Sequence, residues 1–179
     1  MEEFLDILNP VGDKTGESKS YDQVHRDGLM HRTVHVWLMN SKKQLLLQKR
    51  SKQKRAYPSL WDISSAGHVS SGQTSIEAAV RETKEELGLT ISSQNFQFLF
   101  TVEEHVILNN GTYINNEFQD VYLVNLDVDI LSLRIQQDEV DEVRWVDVGK
   151  FEEWILGQGE TLVPHEEEHR KLLEHLNRS

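Results

Sequence analysis

Three glutamates crowd one short stretch of the chain: Glu82, Glu85 and Glu86, in Arg81-Glu82-Thr83-Lys84-Glu85-Glu86. At 100° per residue they fall together beside an apolar face made by Ile76, Ala79, Val80, Thr83 and Leu87. Like charges four residues apart destabilise a helix by a few tenths of a kcal/mol, so the grouping asks for a reason. One reading is a solvated acidic face relieved by Glu77–Arg81 and Arg81–Glu85 pairs. The other is a hard-cation site, because clustered carboxylates suit Mg²⁺, which takes oxygen ligands and keeps waters and substrate phosphates in its shell. A second concentration of charge has the opposite sign. Lys42, Lys43, Lys49, Arg50, Lys52, Lys54 and Arg55 fall in one acid-free stretch of a chain whose net charge is −11. Such a patch is either a solubilising loop or a landing site for a phosphorylated small molecule.

The elements that must position these groups are legible around them. Ser70 to Thr74 has loop composition, Thr74 or Ser75 is a good N-cap, and Gly88 stands where a C′ glycine stops a helix. The acidic residues therefore sit on a helix that follows a glycine-bearing loop at Gly67. Phe4 to Leu8, followed by turn residues, predicts a small N-terminal hairpin, and residues 21–29 read as loop. Leu29 to Asn40 alternates, with Thr33, His35 and Trp37 on one side and Val34, Val36 and Leu38 on the other. Leu45 to Gln48 is its hairpin partner, and Ser51 to Leu60 is a basic loop. Phe96 to Glu103 and Glu117 to Val128 are strands joined through the turn signal Asn109-Asn110-Gly111. Val140 to Val146 is a strand; Val148 to Leu156 and Glu166 to Leu176 are helices, the last introduced by Pro164. The sum is an α/β fold, a mixed sheet between helices, in one domain over residues 1–179, with a hairpin extension at 1–28 and a C-terminal helix at 164–179.

Composition removes several function classes. The chain has 179 residues, enough for one sizeable core. Its acidity makes a nucleic-acid duplex an unsuited partner. It has no cysteine, which excludes disulfides and thiol catalysis. No apolar run reaches membrane-spanning length and no signal peptide opens the chain, so a cytoplasmic protein without membrane attachment is expected. The oligomeric state stays open, with a homodimer among the alternatives.

Taken as a linear pattern, Gly67, Arg81-Glu82, Glu85-Glu86 and Gly88-Leu89 resemble the box of the Nudix hydrolases, G-x5-E-x7-R-E-U-x-E-E-x-G-U, with U aliphatic. Two fixed positions depart from it. Thr83 replaces an aliphatic residue, and Gln73 stands where the first Glu belongs. The resemblance implies an α/β/α sandwich over roughly residues 30–160. It also implies Mg²⁺ (or Mn²⁺) held by Glu82, Glu85 and Glu86. The catalytic base would be Glu85 or Glu86, or a Glu outside the box, Glu139 or Glu142. Lys49 and Arg50 would steady the phosphates, Arg through forked hydrogen bonds, and Gly67 would let the loop approach the metal site.

The flanks are similar to a narrower branch, the type 1 isopentenyl-diphosphate isomerases. His25, His31-Arg32, Lys49-Arg50-Ser51, Tyr57-Pro58, Trp61-Asp62, Gly67-His68 and Asn116-Glu117 carry that likeness. It implies a second metal set, His25, His31, His68 and Glu117, whose imidazoles favour a transition metal. Ala66 takes the place of the cysteine that transfers a proton in those enzymes. The expected activity is therefore metal-dependent hydrolysis of a small-molecule substrate, a nucleoside diphosphate linked to another group. The alternatives are an isomerase-like enzyme and a catalytically inactive nucleotide-binding module. Phosphate release, double-bond migration without release, and binding without turnover separate the three.

Overall fold

The computed structural model describes residues 2–178; Met1 and Ser179, the ends of the expected domain, lie outside the described residues. An antiparallel hairpin of β1 (Phe4–Leu8) and β2 (Lys14–Ser20) opens the chain. A seven-stranded mixed sheet follows, made of β3 (His31–Met39), β4 (Gln44–Arg50), β5 (Trp61–Asp62), β6 (Ser65–His68), β7 (Gln97–Leu108), β8 (Tyr113–Asn125) and β9 (Val140–Asp147). Its order is β5-β4-β3-β8-β7, with β6 also on β3 and β9 also on β4. Among the described residues the strands of this sheet pair antiparallel except β3 and β8, which run parallel.

The period-two alternation of β3 divides the core. Val34, Val36 and Leu38 pack on one side with Ala78, Ala79 and Leu87 of α2 (Ser75–Leu87). Trp37 points to the other side, where Phe151 and Trp154 of α3 (Val148–Ile155) and Leu172 of α4 (Glu166–Leu176) close the core. Helices thus cover both faces, giving the expected sandwich. No helix among the described residues is long and apolar enough to cross a membrane.

One expectation is overturned. Residues 21–29 are not loop: Tyr21–Asp27 forms a helix, α1, with Ser20 at its N-cap and Gly28 closing it in the left-handed region at φ 63°. A seven-residue helix with one aliphatic residue, Val24, is too short to show periodicity. It exists because tertiary packing buries Val24 and His25. β7 also runs beyond the expected Glu103 to Leu108, because its pairing with β8 continues to the turn at Asn109–Gly111.

Strand register assembles the site. β3 pairs His31 with Glu117 across β8 and Thr33 with His68 across β6. β3 and β8 therefore bring together residues more than eighty positions apart, and α1 adds His25.

Candidate active site

The acidic helix is firmly capped. Thr74 accepts from Glu77 N–H while the Glu77 carboxylate accepts from Thr74 N–H, a reciprocal capping box. Gly88 ends the helix at φ 71°. Thr83, the unexpected residue in the apolar stripe, is fully buried and donates to Ala79 O at 2.8 Å, so its hydroxyl is satisfied inside the helix.

This helix lays its glutamates against a cavity of about 680 Å³ lined by Glu82, Glu85, Glu86, Gly67 and His68 among others. Gly67 is required by contact: a Cβ there would meet Glu82 Cδ at 2.0 Å. Glu86 is only 5% exposed; its Oε2 accepts from Ala66 N–H at 3.1 Å and from Gln48 Nε2 at 3.3 Å. Burial pushes Glu86 up to about 7, against partial relief from Ser65 and Lys54. Burial and then the charge of Glu86 push Glu82 up to about 8, although Arg81 lies 2.7 Å away. Two carboxyls that resist ionisation side by side make a site where a cation would bind strongly and displace protons. Gln73 stands apart from this. It accepts from Arg81 at 3.4 Å and does not line the cavity.

The second set of ligands adjoins the same cavity, which His68 and Glu117 line, with His31 behind them on β3 and His25 on α1. One ligand atom from each of His25, His31, His68 and Glu117 lies within 4.8 Å of the others. The Nδ1 atoms of His25 and His31 sit 2.9 and 3.0 Å from the carbonyls of Tyr21 and Leu29. A carbonyl only accepts, so both Nδ1 atoms carry hydrogen, while Nε2 of His31 lies 3.4 Å from Glu117 Oε1. The Nε2 atoms of His25, His31 and His68 are buried without a hydrogen-bond partner. Burial lowers His25, and burial with the neighbouring His31 lowers His68 well below the ordinary value. Burial acts to raise Glu117, but its contact with His31, the neighbouring His68 and the bond from Gln119 outweigh it and hold it below the carboxylate range. Three imidazole nitrogens without a hydrogen-bond partner and one carboxylate, whose Oε2 accepts from Gln119, form a donor set that fits a transition metal.

The same cavity also carries basic groups. Arg50, Lys54 and Arg55 line the cavity. Arg50 donates to Asp62 at 2.7 Å and to Ala56 O at 3.1 Å. Lys54 pairs with Glu139, which also lines the cavity. Lys49, expected beside Arg50 at the phosphates, lies elsewhere. Strand alternation turns it out of the cavity, and its ammonium sits 5.9 Å above the Trp61 ring. Glu142 likewise faces away, paired with Arg144 at 2.8 Å. Sequence reasoning missed Asp62, Glu104 and His165, all lining the cavity. Asp62 had a signal in Trp61-Asp62, whereas His165 had none beyond its place after Pro164.

A model of the NUDIX domain matches residues 29–176. Nudix hydrolase 3 of Arabidopsis thaliana is 42% identical over 168 residues, which is 92% of this chain but 22% of that protein, so the chain spans about a fifth of that relative's length. An isopentenyl-diphosphate Delta-isomerase of Escherichia coli O127:H6 is 30% identical over 146 residues, 82% of this chain and 78% of that one. Among solved structures, DR0079 from Deinococcus radiodurans superposes with a TM-score of 0.75 at 25% identity, covering 94% of this chain and 98% of that chain.

Proposed function

The chain belongs to the NUDIX family and is a Nudix hydrolase; from that premise we propose that it cleaves the diphosphate bond of a nucleoside diphosphate linked to another group. The observation that carries this reading is that one cavity is lined both by Glu82, Glu85 and Glu86 and by Arg50, Lys54 and Arg55, with Glu139 paired to Lys54. Family membership supports a divalent cation. Glu82, Glu85 and Glu86 would hold it as Mg²⁺ (or Mn²⁺), because an all-carboxylate set prefers hard ions. When bound, the cation neutralises diphosphate oxygens and lowers the pKa of an attacking water.

The chain's own residues do the rest. Arg50, Lys54 and Arg55 hold the phosphate oxygens. Lys54 leaves Glu139 for the arriving phosphate, and Glu139 then accepts the proton of the water as its oxygen attacks phosphorus. The bond from phosphorus to the bridging oxygen breaks, and two phosphate-bearing products leave. Glu85 and Glu86 are the alternative proton acceptors. The reaction is placed in the cytoplasm as part of the same proposal.

A second reading has its own observation. The three unsatisfied histidine nitrogens and Glu117, together with the isomerase relative, support an enzyme acting on isoprenoid diphosphates. Ala66 weighs against it, since a methyl group moves no proton. The deciding experiment incubates the protein with Mg²⁺ and a panel of nucleoside diphosphate sugars, dinucleoside polyphosphates, nucleotides and prenyl diphosphates. Release of phosphate or a monophosphate supports hydrolysis. Double-bond migration without release overturns it in favour of the isomerase. Binding without turnover leaves only a nucleotide-binding module.

A further inference from the structure

A buried chain of polar contacts runs from the basic wall to the histidine set. Arg50 donates to Asp62 Oδ2 at 2.7 Å, and Asp62 Oδ1 lies 3.3 Å from His165 Nε2. On the other side of the ring, His165 Nδ1 is 3.3 Å from Glu104 Oε1. Gln119 Nε2 then donates both to Glu104 Oε2 at 3.1 Å and to Glu117 Oε2 at 3.2 Å. Asp62, Gln119 and Glu117 are all buried, so little water competes for these contacts.

His165 is the middle of this chain. A carboxylate only accepts, so a ring with both nitrogens toward carboxylates carries both hydrogens. Burial opposes that charge, but the bonds to Asp62 and Glu104 overcome it and raise His165 well above its ordinary value. The ring is also held in place from its own helix. Three residues on, Glu168 is buried and accepts from His35 Nδ1 at 2.6 Å and Trp37 Nε1 at 2.7 Å, pinning α4 to β3. His35, His165 and Glu168 also bring three ligand atoms within 4.8 Å. That group is built for protons rather than a metal, because both nitrogens of His165 are taken and His35 already meets Glu168 at hydrogen-bond distance.

We propose that His165 is a positioning residue that orients both ends of the cavity: Arg50, through Asp62, for diphosphate, and Glu117, through Glu104 and Gln119, for the metal of the histidine set. The cation between Asp62, which is buried, and Glu104, which is partly buried, stops the two carboxylates from repelling each other. Its removal lets Asp62 and Glu104 turn, and with them the guanidinium and the Glu117 carboxylate that they steady. The proposal rests on the hydrolase reading for the role of Arg50 and on the histidine set for the role of Glu117.

Two binding measurements test it without turnover. Inorganic diphosphate binding is followed by titration calorimetry, and tight Mn²⁺ binding by the electron paramagnetic resonance of free Mn²⁺. Wild type, Arg50→Lys and His165→Gln are compared after near-ultraviolet circular dichroism confirms a folded core. Arg50→Lys should weaken diphosphate about tenfold and leave Mn²⁺ unchanged; His165→Gln should weaken both about tenfold. A folded His165→Gln protein that binds both like wild type, or loses only one, overturns the relay. Should His165→Gln not fold, Glu104→Gln replaces it. It keeps the side chain's shape, removes one bridged charge and is expected to weaken Mn²⁺ alone; unchanged Mn²⁺ affinity overturns the proposal. A wild-type protein that binds no diphosphate overturns the hydrolase reading and the Arg50 limb together, while the Mn²⁺ arm still decides the Glu117 limb. A wild-type protein without tight Mn²⁺ overturns the Glu117 limb alone.

Discussion

Glu86→Gln separates a metal ligand from a merely buried acid. The change is near-isosteric. Both donors to Glu86, Ala66 N–H and Gln48 Nε2, meet the same oxygen, Oε2, and an amide carbonyl can accept from both. What changes is charge. Burial holds Glu86 at about 7 against an ordinary 4.5. An acid raised on folding stabilises the fold fully below 4.5, and that contribution is lost as pH rises through 7. At about 1.4 kcal/mol per pH unit, the full loss is about 3 kcal/mol. Glutamine has no such titration. In EDTA, Glu86→Gln should therefore be more stable than wild type by about 3 kcal/mol at pH 8.5, but by less than about 1 kcal/mol at pH 5.

Urea unfolding at both pH values reads this directly. Adding Mg²⁺ reverses the order, because wild type gains stability from binding and the variant gains little. Turnover falls by about a hundredfold or more, as the ligand supports several kcal/mol of transition-state stabilisation. Two results refute the reasoning. Equal stability in EDTA at pH 8.5 would mean that Glu86 is not a strained charge. An equal response to Mg²⁺ with full turnover would remove it from the metal site.

Gly67→Ala should act on Glu82 without touching it: the added Cβ would lie 2.0 Å from Glu82 Cδ, so the carboxylate must swing away. Mg²⁺ stabilisation and turnover should both fall by about tenfold or more, read by thermal melts with and without the ion. Gln73→Glu should change kcat by less than about tenfold, because Gln73 meets Arg81 and lies outside the cavity; a larger gain in a steady-state assay would show a site crippled by the missing carboxylate. The double variant His25→Ala with His68→Ala should lose tightly held transition metal, measured by metal analysis after dialysis, yet keep most Mg²⁺-dependent turnover. Because both rings are held below 6.5, wild-type affinity for that metal should fall only as pH drops below that value.

The parts of this molecule that could be read from sequence are those whose causes are local. Thr74, Glu77 and Gly88 specify α2 by capping chemistry a few residues apart, and the helix has those limits. The alternation of β3 told its two faces apart because side chains on a strand must alternate. α4 begins after Pro164 as expected and has the expected bounds. The unread parts depend on distance or phase. α1 is too short for periodicity. The turning of Lys49 away from Arg50 follows from alternation through β4, which a basic cluster in one dimension conceals. His165 meets Asp62 and Glu104 from three separate elements, and nothing near Pro164 points to a partner so far along the chain. His35 was placed with Thr33 and Trp37, yet its bond to Glu168 belongs to the register between a strand and the last helix.

The three departures from the family patterns acquire a common physical meaning in the structure. Thr83 replaces an aliphatic side chain but returns its hydroxyl to Ala79 O, so the stripe stays dry. Gln73 replaces a carboxylate at a place where the contact is with Arg81 rather than the cavity, and an amide oxygen still accepts there. Ala66 contributes its backbone N–H to Glu86, a contact that any residue at this position except proline supplies. Each substituted residue thus has a hydrogen-bonded place in the structure, and that of Ala66 holds Glu86 directly. Only the last removes chemistry, because a methyl group neither gives nor takes a proton. A reaction in this cavity must then find its proton acceptor on another wall. Of the two outlying glutamates considered from sequence, Glu139 reaches the cavity and Glu142 is turned to Arg144. Glu139 is thus the outlying carboxylate that lines the cavity, where it pairs with Lys54, and in the hydrolase reading proposed above it is the proton acceptor that the Ala66 methyl group cannot be.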